Sequence, residues 1–234
     1  MTAWRDVADA LFREGHAIEQ KGDLLQGEGR SFEQTFAVIG TTHHAEVGVE
    51  LALAMAGAVL ETVRKHPGRP VLFLIDTQGQ RLRHRDELLG INSYMAHLAK
   101  CVEIARLAGH RILGLIYDQA LSGGFLPNAM MADLCAALPE AEIRVMGLPA
   151  MARIMRVPEE RLRALSQTSP VFAPGAENYV SMGAVDALWS GDLALCLKEA
   201  LGRADATDRR SASGCQRGGR ALAQPVAERV VLDG

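Results

Sequence analysis

Aromatic residues make up only 5% of this 234-residue chain, and neither sign of charge dominates, with 25 Lys and Arg against 28 Asp and Glu for a net charge of −3. The basic footprint of a nucleic-acid binder is missing, so no nucleic-acid partner is expected. Long hydrophobic runs are missing too. The longest apolar stretch, residues 47–60, is broken by Glu50 and falls short of the roughly 18 residues that a bilayer span requires, so no membrane partner is expected. The four cysteines, Cys101, Cys135, Cys196 and Cys215, contain no CxxC. Neither a zinc site nor a disulfide framework is suggested, and packing is their expected role. Arg5, Asp6 and Asp9 interrupt what would be the apolar region of a secretory signal, and the expected compartment is the cytoplasm.

What is present is a composition 48% hydrophobic and 23% charged, which describes an ordinary globular protein. Apolar residues recur at helical spacing from Trp4 to Gln20, and the glycine-rich stretch KGDLLQGEGR then reads as a loop. A strand is expected over Ser31–Thr42, and Val47, Leu51, Met55, Ala58 and Val63 mark one helix face. PVLFLID (Pro70–Asp76) and RILGLIYD (Arg111–Asp118) read as buried strands, separated by a helix carrying Ile91, Met95, Leu98, Val102 and Ala105. Strands apolar on both faces and separated by helices predict an α/β protein with a mostly parallel sheet. Further on, Gly124–Asp133 reads as a helix, Leu134–Leu138 and Glu142–Met146 as short strands. Pro149–Met155, Pro158–Ser166 and Asp192–Leu201 read as helices. Residues 1–202 are expected to form one domain, and residues 203–234 a disordered tail.

Chemistry concentrates in two short segments. DQALSGGFLP (Asp118–Pro127) places Ser122, Gly123 and Gly124 between a buried strand and an expected helix start. Adjacent glycines let the backbone turn sharply and admit a ligand closely, and the first amides of a helix are free donors. The backbone N–H groups of Gly123 and Gly124 are thus candidate oxyanion donors, each worth about 3 kcal/mol when preorganised in a dry pocket. The alternative is a glycine turn that serves packing. IDTQG (Ile75–Gly79) ends the preceding apolar strand, so its loop emerges at the same carboxyl edge of the sheet, where ligands favour α/β proteins.

The order of elements resembles the crotonase-like carboxyltransferases, whose alpha-type subunit in bacterial acetyl-CoA carboxylase carries IDTPG and GSGGA where this chain has IDTQG and LSGGF. GEGRSFEQTFAVIGTTHHAEVGVELALAMA and LIDTQGQRLRHRDELLGINSYMAHLAKCVEIARL resemble, more narrowly, the malonate decarboxylase gamma subunits, over roughly Leu24–Leu201. That resemblance implies a crotonase/ClpP-like ββα superhelix and a beta subunit of the same fold sharing the active site. It also implies decarboxylation of a malonyl thioester carried by a CoA-like prosthetic group on an acyl carrier subunit, with no cofactor bound covalently here. Gln78 stands where carboxyltransferases usually have proline, which favours biotin-independent chemistry. For such a reaction Gly123 and Gly124 are the expected catalytic donors and Ser122, Thr77, Gln78, Gly79, Gln80, Arg81 and Arg83 the expected binding residues, with no metal ligand. The family's beta subunit is thought to hold the thioester, which would leave this chain the departing carboxylate.

Several rival readings remain open. Ser122 could be a nucleophile of the Clp peptidase type, but there the histidine follows the serine, whereas all seven histidines here precede it. A hydratase or isomerase would want a carboxylate near the glycines, and none occurs between Gln119 and Ala132. His43 and His44 beside Glu46 rarely chelate one ion together, because adjacent helical residues point about 100° apart. Arg81, Arg83, His84 and Arg85 could grip phosphates or form a solvated loop. A noncatalytic partner of the beta subunit, or a subunit of a biotin-dependent carboxyltransferase, are the alternatives for the whole chain.

Overall fold

The computed structural model describes residues 3–166, 175–205, 207, 209–218 and 222–232. The elements run α1 (Trp4–Leu11), β1 (His16–Lys21), β2 (Leu24–Ser31), β3 (Gln34–Thr41), β4 (Ala45–Val47), α2 (Val49–Lys65), β5 (Val71–Gln80), α3 (His84–Leu88) and α4 (Ile91–Leu107). They continue with β6 (Ile112–Leu121), β7 (Leu134–Ala137), β8 (Glu142–Arg144), α5 (Leu148–Met155), α6 (Glu159–Ser166), α7 (Ala176–Ser181), β9 (Ala187–Leu188), α8 (Leu193–Arg203), α9 (Arg210–Gln216) and α10 (Ala223–Leu232). No helix among the described residues is long and apolar enough to cross a membrane.

The sheet order is β1-β2-β3-β5-β6-β7-β9, antiparallel from β1 to β3 and parallel from β3 onward. The expected mostly parallel α/β architecture is therefore present. Alternate residues of β5 feed two cores: Phe73 and Ile75 pack with Met55, Val59, Leu98 and Val102 of α2 and α4, while Leu72 and Leu74 pack with Trp4, Leu11, Trp189 and Leu197 on the other face. Burial on both sides is why these strands read as unbroken apolar runs. Past Ile75 and Ile116 the register of β5 against β6 shifts, resuming at Thr77 opposite Ala120. Beyond that bend two short strands join the sheet, β4 beside β5 and β8 beside β6.

Three stretches differ from the sequence expectation. The first helix stops at Leu11 rather than Gln20, because Gly15 turns the chain at φ 93° into β1. The expected glycine-rich loop is largely β2: Gly22 at φ 61° makes the two-residue turn after Lys21, and Phe32 and Glu33, at φ 52° and 61°, make the next. Such turns need positive φ at the central positions, which Asn-Gly or Asp-Gly usually announce; a Phe-Glu pair gives no signal. The Gly124–Asp133 helix is also absent, and the segment is a run of turns. Its amide bonds reach back three, four and five residues (Leu126 to Gly123, Ala129 to Phe125, Met130 to Phe125), and Asn128 Oδ1 accepts from the Ala129 N–H at 2.7 Å. Pro127 lacks an amide, and an Asn side chain competing for backbone donors prevents a regular ladder from propagating. Asp192 does start α8 as expected, its carboxylate accepting from the Leu195 N–H at 3.2 Å. Residues of the expected tail include α9 and α10, and Arg217 donates to the carbonyls of Val180, Val185 and Asp186.

Glycines in β2 are there for close approach, since a Cβ at Gly29 would lie 2.4 Å from the Phe12 ring. Gly29→Ala should lower the unfolding free energy by about 1–3 kcal/mol, the usual range for overpacking. Gly57→Ala, in α2 with nothing within 4 Å of the added carbon, should raise it by about 0.5–1 kcal/mol. Urea unfolding of the two variants checks both signs.

Candidate active site

Both candidate segments sit just past the bend: IDTQG, expected to open a loop, lies within β5, and the end of that strand touches the turn that follows β6 at Ser122. Thr77 is 1% exposed. Its hydroxyl donates to the Ala45 carbonyl at 2.6 Å and accepts from the Gly79 N–H at 3.0 Å. Gly79 lies at φ 113°, and a Cβ there would come within 2.8 Å of the Ser122 Cβ. A Cβ at Gly124 would come within 2.8 Å of the Gly79 backbone and of Thr77 Oγ1. Ser122 is itself left-handed at φ 53°, its N–H donating to the Arg144 carbonyl at 3.0 Å. Both glycine positions are therefore demanded by close contact between the end of β5 and the turn after β6, and Gly79 by its left-handed φ as well.

Neither the Gly123 nor the Gly124 N–H donates to another group among the described residues. Gly123 also borders a cavity of about 430 Å³, walled by Ile91, Met95, Ala99, Leu126, Pro127 and Met131 with Gln80, Glu87 and Asn92 as its polar members. Free amide donors against mostly apolar walls suit a developing negative charge. The donors come from an irregular turn, so the field of an ordered helix does not add to them. A second cavity, of about 360 Å³, lies at the opposite sheet edge by Asp133 and Leu134. There Arg106 pairs with Asp133 at 2.7 Å.

The sequence-predicted residues divide by placement. Gly123 and Gln80 face the cavity, while Ser122, Gly79 and Gly124 form its supporting contact and Thr77 is spent tying β5 to Ala45. Gln78 is exposed. Arg81 lies 3.9 Å from Glu46 and 3.6 Å from Glu50, Arg83 lies 3.4 Å from Glu46, and Arg85 lies 2.5 Å from Glu50. Hydrogen bonds from its own backbone and from Arg85 hold the Glu50 carboxyl below its ordinary range. Asp86, buried, accepts from the Val49 N–H at 3.0 Å and caps α2. The cationic cluster is thus an ion-pair network with the start of α2, a third outcome beside phosphate grip and solvated loop. His16, His97 and His110 are engaged with Asp9, Cys101 and the Arg69 carbonyl, which removes them as partners of Ser122. Burial pushes the Cys101 and Cys196 thiols up, consistent with packing rather than reactivity.

Sequence reasoning missed the apolar wall from α4, because Met95 and Ala99 read equally well as core. It also missed the polar group at the bend, where Asp76 is buried with His44 and Asp118 beside it. Burial raises the Asp76 carboxyl above its ordinary range, against the lowering effect of the His44 N–H.

Comparison with known proteins bears on this geometry. A family model described as the malonate decarboxylase gamma subunit matches residues 42–233. That match begins later than the Leu24 of the sequence resemblance and runs on through the expected tail. The malonyl-S-ACP:biotin-protein carboxyltransferase MADD of Malonomonas rubra is 30% identical over 179 residues, which cover 73% of this chain; the chain spans about 60% of that relative's length. A chain of a Pseudomonas malonate decarboxylase hetero-tetramer in complex with coenzyme A superposes with a TM-score of 0.80 at 26% identity, over 98% of this chain and 99% of that one. A chain of the Pseudomonas MdcD-MdcE hetero-dimer gives 0.74 at 27% identity, over 96% and 99%. Transcarboxylase 12S, at 18% identity and a TM-score of 0.72 over 87% of this chain and 42% of that one, shares the fold.

The two glycines of the turn should respond differently to one added carbon. A Cβ at Gly123 meets only the end of the Gln80 side chain, at 2.9 Å, so Gly123→Ala should leave stability within about 0.5 kcal/mol. Gly124→Ala should cost about 1–3 kcal/mol, since backbone must move. Thermal and urea unfolding of both variants test the difference, and the Gly123 variant is then the cleaner probe of function.

Proposed function

Because the chain belongs to the malonate decarboxylase gamma subunit family, we propose that it acts with a beta subunit of the same fold to decarboxylate a malonyl thioester on an acyl carrier subunit. The products are the acetyl thioester and carbon dioxide, making the assembly a carbon–carbon lyase. The observation that carries this is the unengaged amide of Gly123 at the edge of an apolar-walled cavity, with the equally unengaged amide of Gly124 next to it in the chain. When the bond from Cα to the carboxylate breaks, its electron pair moves onto the thioester oxygen, and Cα then takes a proton. Donors fixed in place before the reaction stabilise that oxygen, or a carboxylate on its way out, more than they stabilise the neutral substrate. The cavity suits the thin, partly apolar arm of a CoA-like prosthetic group. Gln80 is the polar side chain nearest Gly123 to orient it.

A beta-type partner is supported by exposed apolar side chains, Leu126 of the cavity wall at 51% and Leu82 and Leu88, which follow its lining residues Gln80 and Glu87 in the chain, at 78% and 74% exposure, since exposed apolar surface marks interaction sites. The proposed compartment is the cytoplasm, where the buried free thiols Cys101 and Cys135 stay reduced. We propose biotin-independent chemistry, with Gln78 in place of proline as its support. The Malonomonas rubra relative favours a second reading, carboxyl transfer to a biotin protein. A noncatalytic role beside the beta subunit is the third.

Carbon dioxide release from a malonyl thioester, measured with this chain and a beta-type partner together and each alone, separates these readings. Release only from the mixture, unaffected by avidin, is expected. Gly123→Ala keeps the N–H but sets a carbon 2.9 Å from the Gln80 side-chain oxygen, so it should reduce release by about tenfold, with assembly intact, if the reacting group must come up to that amide. Abolition by avidin would establish the biotin-dependent reading, and full activity of the variant would mean that no reacting group comes up against the Gly123 amide.

A further inference from the structure

At the bend of the sheet, before the two candidate segments end, three ligand-type atoms converge from β5, from β6 and from the segment before β4. His44 Nε2 lies 3.7 Å from Asp76 Oδ1 on β5 and 3.6 Å from Asp118 Oδ1 on β6, and all three atoms lie within 4.8 Å of one another. These separations are long for direct hydrogen bonds. They are close to the spacing of neighbouring ligands around one ion, about 3–3.6 Å for bonds of about 2.1 Å.

Two buried polar atoms aim into this space without a hydrogen-bond partner, Asp76 Oδ1 and His44 Nε2, and the Asp76 side chain is 1% exposed. A buried carboxylate oxygen that accepts no hydrogen bond is costly, and native structures rarely leave one in that state. The other Asp76 oxygen is already committed: Oδ2 accepts from the His44 N–H at 2.8 Å, while the Asp76 N–H donates to Thr41 Oγ1 at 3.2 Å. One oxygen is thereby oriented toward the cluster in the way that outer contacts orient metal ligands.

The backbone shows the same bias. His43 and His44 are both left-handed, at φ 59° and 50°, a conformation that is uncommon outside glycine and that accumulates at functional sites. The strain places His44 over the two aspartates while His43 turns off toward Asp23, 3.5 Å away. Adjacent histidines do not chelate together here. One histidine joins carboxylates that lie 32 and 74 positions further along the chain.

We infer that His44, Asp76 and Asp118 form a binding site for one divalent transition-metal cation. Two carboxylates and a neutral imidazole carry a charge of −2, which such an ion balances. One nitrogen and two oxygens suit zinc or manganese. His44 and Asp118, 29% and 16% exposed, leave an approach from solvent and room for water in the remaining positions. The ion would pin β5 to β6 and to the segment before β4 at the level from which both candidate loops depart.

The test loads the full chain with Zn²⁺ or Mn²⁺, dialyses it, and measures bound metal, with Co²⁺ absorption as a second readout. About one ion per chain is expected, together with a higher melting temperature. His44→Gln and Asp118→Asn, which alter partly exposed residues, should each weaken binding by about 10–100-fold without changing the circular dichroism. Substoichiometric metal, or equal retention by both variants, would overturn the inference. Metal content is read without turnover, so this result is independent of the decarboxylase proposal.

Discussion

Everything distinctive about this molecule depends on β5 and β6 being paired in parallel, buried on both faces, and then bent together. Up to Ile75 and Ile116 the two strands are ordinary core, with side chains alternating between the two helix layers. At the register shift the alternation is lost, and polar residues that cores exclude, Asp76, Thr77 and Asp118, appear on adjacent strands. A sheet buried on both faces has no solvent to satisfy such groups, so each needs a partner from elsewhere in the chain. Thr77 finds the Ala45 carbonyl and Asp76 finds the His44 amide. The short strand β4 is held in place by these bonds, and with it the start of α2.

That dependence explains which parts of the molecule were legible in the sequence. Burial on two faces writes a run of apolar residues, and amphipathic helices write a period, so β5, β6, α2, α4 and α8 could all be read directly. Strand β3 was legible within Ser31–Thr42, but β1 and β2 were not, because β1 continues the apolar spacing of α1, β2 carries Gly27 and Gly29 for close packing, and the turn into β3 is made by Phe32 and Glu33 without the usual residues. The glycines of both candidate loops were recognisable, but their purpose was only half visible. Gly124 could be seen as a turn residue, whereas its contact with Gly79 and Thr77 joins positions 45 and 47 residues apart.

The cationic segment shows the same limit in electrostatic form. Arg81, Arg83 and Arg85 look like an anion-binding patch when only neighbours in sequence are counted. Glu46 and Glu50 precede them by more than 30 positions and meet them in space. Exposed pairs of this kind contribute little stability singly. Their effect here is to lower the positive field that a phosphate would otherwise meet. Selectivity at the loops must therefore come more from the amides and the cavity wall than from free arginine charge.

Amide donors are only as useful as their surroundings are dry. In water, a charge near Gly123 and Gly124 would be solvated about as well by the solvent, and the advantage of fixed dipoles appears when water is excluded. The cavity beside Gly123 has apolar walls but Leu126, one of them, is half exposed, and exposed Leu82 and Leu88 follow its lining residues Gln80 and Glu87 in the chain. An open apolar mouth next to good donors is half of a catalytic site. Closure by a second chain would bury those leucines and desolvate the donors in one step, coupling assembly to electrostatic stabilisation. On the proposed function, this is the physical reason for a shared site: a fold that devotes its own core to building the bend leaves the lid to its partner.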